Sequence, residues 1–241
     1  KPVRLDKLLA NMGYGVRRDI AAMARAGLIK VDGEPIRKAD TKLRPDASLQ
    51  ISLTIDGASV DPLPGMAVML HKPLGVTCSK KDPGKLVHDL LPPRWRTRDP
   101  SLSTVGRLDK DTSGLLILTD DGQLNHRITS PKTETPKRYL VTLDRPLNGS
   151  EAKTFATGGL MLEGEDKPLL PAELDIIDDR HAALTIHEGR YHQVRRMFAA
   201  VGNHVTALHR AQIGGLALPE DLPPGEWRLM TDSDIAAIFV D

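Results

Sequence analysis

Gly106-Arg107-Leu108-Asp109-Lys110-Asp111-Thr112-Ser113-Gly114-Leu115-Leu116-Ile117-Leu118 is the stretch on which the reading of the chain turns. A polar turn carrying Asp109 lies between two glycines and feeds an apolar run, Leu115 to Leu118, that suits one buried strand. Such a turn holds a carboxylate rigidly at the floor of a cleft, and it fits a purely structural role as well. Beyond it, Asp120-Asp121-Gly122 stops the strand and Leu124 to Ile128 has helical spacing. Tyr139 to Leu143 and Ala183 to Ile186 read as strands. Tyr191 to Val201 reads as a helix with Val194, Met197, Phe198 and Val201 on one face and Arg195 and Arg196 near its edges. Upstream, Met66 to Leu70 reads as a buried strand ending at His71-Lys72-Pro73, and Val87 to Leu91 as a short helix closed by Pro92-Pro93. Strands and helices mix without a βαβ rhythm, which predicts an α+β fold on a largely antiparallel sheet rather than a doubly wound one.

The first 60 residues have a pattern of their own. Leu5, Leu8, Leu9 and Met12 recur at helical spacing until Gly13 and Gly15. Arg17-Arg18-Asp19 opens a second helix with Ile20, Met23 and Ala24 on one face, ending near Gly27. Leu28 to Val31 then alternates as a strand into Asp32-Gly33, a strong hairpin signal. The return strand includes Ile36, and a last strand spans Ser48 to Leu53. Asp56-Gly57-Ala58 and Asp61-Pro62-Leu63-Pro64-Gly65 form a Gly/Pro-rich break. The expected division is therefore residues 1–60 and residues 61–241.

Charge follows the same division. The 241-residue chain carries a net +1. Residues 1–60 hold eleven Lys/Arg against seven Asp/Glu, a local +4, and the rest is mildly acidic at −3. A basic module on an acidic body is the pattern of a chain that grips a polyanion with one end, and a solvated charged surface gives the same count. No apolar run approaches a membrane span. The N-terminal stretch has no signal-peptide pattern and no initiator Met, so the numbering is expected to begin inside the native chain. With Cys78 as the one cysteine, no internal disulfide is possible, and a reducing cytoplasm is the expected compartment.

Residues 4–10, Arg-Leu-Asp-Lys-Leu-Leu-Ala, the basic pair Arg17-Arg18 and the Gly27 to Gly33 hairpin together resemble the S4 RNA-binding module. Val16 stands where that family usually has Ser. Arg and Lys on a helical face neutralise backbone phosphates and fix position rather than sequence. The segment Gly106 to Leu116 in turn resembles the signature of the RsuA-type pseudouridine synthases. Three further stretches follow that family's order: His71-Lys72-Pro73-Leu74-Gly75, Lys137-Arg138-Tyr139, and Glu188 to Phe198 followed by Val205, Leu208 and Arg210. His71 departs from the commoner Asn. The resemblance covers nearly the whole chain.

It implies an isomerase that breaks a uridine's glycosidic bond in ribosomal RNA, turns the base and rejoins it through C5, without redox change or cofactor. Asp109 would be the catalytic carboxylate, attacking C1′ or C6 or assisting departure to a glycal. Partial burial disfavours a charge, so a cation beside it is expected. The resemblance makes that cation Arg195, whose other reading is a phosphate contact. The target uridine must be extruded to react. Tyr139 would stack on it, Leu208 would wall the pocket, and each residue type fits a core role too. Arg107 would fill the gap left by the flipped base, and Arg190, Arg196, Arg17 and Arg18 would meet phosphates. His181, His187, His192, His204 and His209 lack the spacing of a helical zinc site, and the Asp120-Asp121-Gly122 turn lacks the later ligands of a cation loop.

The expected enzyme acts alone as a monomer on small-subunit rRNA or a pre-ribosomal particle. Large-subunit rRNA is the rival substrate. A non-catalytic S4-type ribosome-assembly protein is the rival of another class.

Overall fold

The computed structural model describes residues 1–79 and 81–240. The chain divides into two compact units. One comprises residues 1–67, 91–103 and 119–122, and the other residues 68–90, 104–118 and those from Gln123 onward.

In the first unit, helices Leu5–Asn11 and Arg17–Arg25 bury Leu5, Leu8, Leu9, Met12, Ile20 and Ala24 against Ile29, Leu49 and Leu53. Asp32 and Gly33 take positive φ, 51° and 81°, so a two-residue turn joins strands Ile29–Val31 and Glu34–Pro35. Asp56 and Gly57 make a second such turn between Leu53–Ile55 and Ala58–Ser59, completing a four-stranded sheet. The strand expected over Ser48 to Leu53 is instead the helix Ala47–Ser52, with a strand beginning only at Leu53. Leu49, Ile51 and Leu53 alternate as a strand would, but the Asp46 carboxylate accepts from the Leu49 N–H at 3.1 Å and caps a helix. That helix buries Leu49 and leaves Ile51 81% exposed.

The same unit contains a buried ion pair. Arg98 Nη2 donates to Asp120 Oδ2 at 3.1 Å, and both side chains are 1% exposed. Arg98 Nη1 also donates to the Pro62 carbonyl at 2.9 Å, and the Gly65 N–H donates to Asp120 Oδ1 at 2.8 Å. The Pro/Gly-rich stretch from Pro62 to Gly65 is thus clamped at both ends. Asp120 has more to do than stop a strand.

The second unit is organised by a nine-stranded sheet. Its path runs Glu173–Ile176, His181–Ile186, Lys137–Leu143, Val205–Ile213, Thr112–Thr119, Ala67–Lys72 and Trp227–Leu229. Thr112–Thr119 and Val205–Ile213 run parallel, and the other registered pairs of this sheet are antiparallel. The fold is α+β on a mixed, largely antiparallel sheet. Register places Tyr139 opposite Arg210 and Arg210 opposite Gly114. Gly114 has φ 118°, and a Cβ there would collide with the backbone of Arg210. Only glycine lets these strands approach so closely. The helix expected from Tyr191 is Gln193–Ala200, because His192 adopts φ 49° and turns the chain into it. Among the described residues no helix is long and apolar enough to cross a membrane.

Candidate active site

A cavity of about 590 Å³ opens in the second unit, lined by the turn Gly106 to Asp109, the strand ends at Lys137, Tyr139, Leu208 and Arg210, and the segment Glu188 to Arg195. The volume suits a nucleoside-sized ligand, within the range of about 300–1,000 Å³ usual for small-molecule sites. Asp109 reaches it from a turn closed by the Thr112 N–H donating to the Asp109 carbonyl at 3.0 Å.

That turn is held from behind by main-chain contacts. Lys72 is fully buried and its Nζ donates to the carbonyls of Thr112 at 2.7 Å, Pro73 at 3.0 Å and Lys110 at 3.4 Å. The Gly75 N–H donates to the Lys110 carbonyl at 2.9 Å. Burial pulls the Lys72 ammonium below its usual range, while Cys78, Asp109 and Asp111 pull the other way. Three carbonyl dipoles are its direct partners, so the Lys-Pro-x-Gly stretch braces the Asp109 turn.

The ion pair expected between Arg195 and Asp109 is replaced by another arrangement. Arg195 donates to the carbonyls of Asp111 at 3.0 Å and Val205 at 3.2 Å. The Asp109 carboxylate meets His192, with Nε2 3.3 Å from Oδ1 and both side chains more than a third exposed. The left-handed backbone at His192 aims the imidazole there, and Tyr191 stacks on it at 3.8 Å. Arg195 therefore positions the turn through its backbone. His192, read from sequence only as one of a loose group of histidines, is the residue at the carboxylate.

Arg190 and Arg196, expected at phosphates, are occupied by protein. Arg190 pairs with Glu188 at 3.0 Å and Glu165 at 3.3 Å, and donates to the carbonyls of Lys167 and Pro168. Arg196 pairs with Glu165 at 2.8 Å and donates to the Tyr191 and Glu163 carbonyls. Glu165 thus bridges two arginines and fastens the loop 163–168 onto the segment that lines the cavity. Arg17 is likewise tied, with Arg4, to the buried Asp6, whose carboxyl falls to about 2 mainly through the Arg4 hydrogen bond. Arg18 and Arg107 are exposed. Among the described residues no group of three His, Cys, Asp or Glu side chains gathers as a metal site.

Two cations that the sequence offers only as members of the family stretches also belong to the site. Lys137 and Arg210 line the cavity beside Tyr139. Burial pushes Lys137 down to about 8, and the Arg210 guanidinium adds to the push. The signal was present in the register, since Lys137, Tyr139, Val141 and Leu143 alternate onto one face of their strand. Lowering below the usual 10.5 means that the unfolded chain binds more protons than the fold between about pH 8 and 10.5. The burden of holding this ammonium is therefore full below pH 8 and is relieved as pH rises. Lys137→Met is expected to be more stable than wild type at pH 7. The gap should close by pH 10.5 in urea unfolding followed across that range; a gap that is absent or widens with pH contradicts this reading.

Comparison with known proteins agrees with this geometry. Residues 67–200 match the family model described as RNA pseudouridylate synthase, and residues 3–49 match the S4 domain. A protein of Escherichia coli (strain K12) named ribosomal small subunit pseudouridine synthase A is 45% identical over 98% of this chain and 100% of its own length. Its namesake from Yersinia pestis is 43% identical over 98% of both chains. A solved structure described as a pseudouridylate synthase superposes with a TM-score of 0.68 at 39% identity, covering 98% of this chain and 99% of that one. With the carboxylate turn, the Lys-x-Tyr strand and the Glu188 to Phe198 segment on one cavity and matched over their whole span, the chain belongs to the RNA pseudouridylate synthase family.

Proposed function

We propose that this protein converts one specific uridine of small-subunit ribosomal RNA to pseudouridine, with Asp109 as the catalytic carboxylate. The observation that carries it is the convergence of Asp109, Tyr139 and Leu208 on one nucleoside-sized cavity whose acidic turn is held rigidly by main-chain contacts. Full-length relatives whose names specify the small ribosomal subunit support the choice of RNA. Tyr139 stacks on the extruded base, Leu208 walls the pocket, and exposed Arg107 enters the stack that the base leaves. Residues 1–60 bind RNA through exposed cations such as Arg18, and residues 61–241 carry the chemistry. The protein works as a monomer in the cytoplasm, where ribosomes are assembled.

Pseudouridine mapping in rRNA from a strain lacking this gene tests the reading. One small-subunit position is expected to lose its modification, with recovery on expressing wild type and none with Asp109→Asn. Loss at a large-subunit position would replace the substrate, and an unchanged map of both subunits would remove the activity.

A further inference from the structure

Most basic side chains around the cavity already have partners. Arg190 is paired with glutamates, Arg195 with main-chain carbonyls, and His192 with Asp109. Lys137 and Arg210 differ. Among the described residues neither forms an ion pair with a carboxylate. Lys137 Nζ donates to the Thr135 carbonyl at 3.0 Å. Arg210 is 2% exposed; its Nε donates to the Leu115 carbonyl at 2.9 Å, and its Nη2 is buried with no hydrogen-bond partner.

Two desolvated like charges without a counter-ion are costly in any fold. The strand register that brings them together also brings Tyr139, and Gly114 makes room for the Arg210 backbone. Such charge held beside a cavity is the arrangement that stabilises negative charge appearing during a reaction, because the donors are oriented beforehand in a medium that screens weakly.

We propose that Lys137 and Arg210 form a catalytic cation pair that takes the carbonyl oxygens of the target uracil and stabilises the negative charge it carries during base exchange. The inference rests on the activity proposed above. When the N1–C1′ bond breaks, its electron pair remains on the base, and the charge spreads from N1 onto O2 and, through the C5–C6 double bond, onto O4 and C5. The C5–C1′ bond then forms with a pair from the ring, C5 releases its proton and N1 takes one, so nothing is oxidised or reduced. If Asp109 instead adds at C6, the displaced pair again reaches O4. Either route leaves anionic oxygen on the base, and both cations line the cavity that would hold it, so the pair serves whichever atom Asp109 attacks.

Single-turnover measurements on a small-subunit rRNA fragment test it, with Lys137→Met, Lys137→Gln and Lys137→Arg compared. The neutral variants are expected to bind RNA within about threefold of wild type and to lose at least about 100-fold in rate. Lys137→Arg, which restores a cation, should recover most of that loss. The same fragment carrying 5-fluorouridine at the target separates charge stabilisation from general damage. Fluorine makes the base a stronger acid that bears negative charge more easily. Consumption of 5-fluorouridine should therefore fall by at least tenfold less than that of uridine in Lys137→Met. Equal losses on the two substrates, a loss confined to RNA affinity, or no loss at all would each overturn the pair's role. Wild-type protein inactive on rRNA would overturn the activity and this inference with it; an active wild type with unimpaired neutral variants overturns the inference alone.

Discussion

Asp109→Asn is expected to lower the single-turnover rate of pseudouridine formation by at least about 10⁴-fold, about 5.4 kcal/mol of barrier, while RNA affinity stays within about threefold. The substitution keeps the size and plane of the side chain and removes only its charge and nucleophilicity. The turn should keep its shape, because Lys72, Gly75 and Arg195 hold the carbonyls of Lys110, Asp111 and Thr112 rather than the Asp109 carboxylate. A drop in rate with RNA binding retained would locate the loss in the chemical step. Residual activity within about tenfold of wild type, measured with RNA saturating, would remove Asp109 from the mechanism.

Arg98→Met carries the largest expected effect on stability, a loss of about 3–5 kcal/mol, because it strands a buried carboxylate. Asp120 would keep the Gly65 N–H and lose the Arg98 guanidinium, in surroundings where its side chain is 1% exposed. The Pro62 carbonyl would lose its donor as well. Replacing both charges, as in Arg98→Met with Asp120→Leu, should recover a large part of the loss, since two apolar side chains need no solvation. Urea unfolding at neutral pH measures each variant. A single-variant loss below about 1 kcal/mol would place this pair with exposed salt bridges, which contribute little.

How far the fold was legible depended on whether a local pattern admitted one solution. Leu5, Leu8, Leu9 and Met12 fit only a helix, and all four are buried, the first three on it and Met12 at its C-cap. Leu49, Ile51 and Leu53 fit a strand by alternation and a helix by the spacing of Leu49 and Leu53, and the Asp46 cap decided for the helix. At the site, the polar turn around Asp109 fits a structural role by its pattern alone, and the family resemblance is what singles out that turn and the Lys-x-Tyr strand. The partner of the Asp109 carboxylate did not. Arg195 and His192 sit three residues apart, and a single left-handed residue at the helix start determines which of them faces the acid. Lys137 and Arg210 are legible in the sequence as members of the family stretches, but only the pairing of three strands shows that both line the cavity.

The bracing of the Asp109 turn also has a history in time. Lys72 and the carbonyl of Thr112 lie 40 residues apart, so that clasp can close while the rest of the chain is still being made. Arg195 lies 84 residues beyond Asp111, and Arg210 lies 95 beyond Leu115. At synthesis rates of about 5–20 residues per second, those late partners arrive several seconds after the turn and strand they hold. A nascent chain therefore presents a shaped but unfinished carboxylate turn, and becomes competent only when nearly its whole length has left the ribosome.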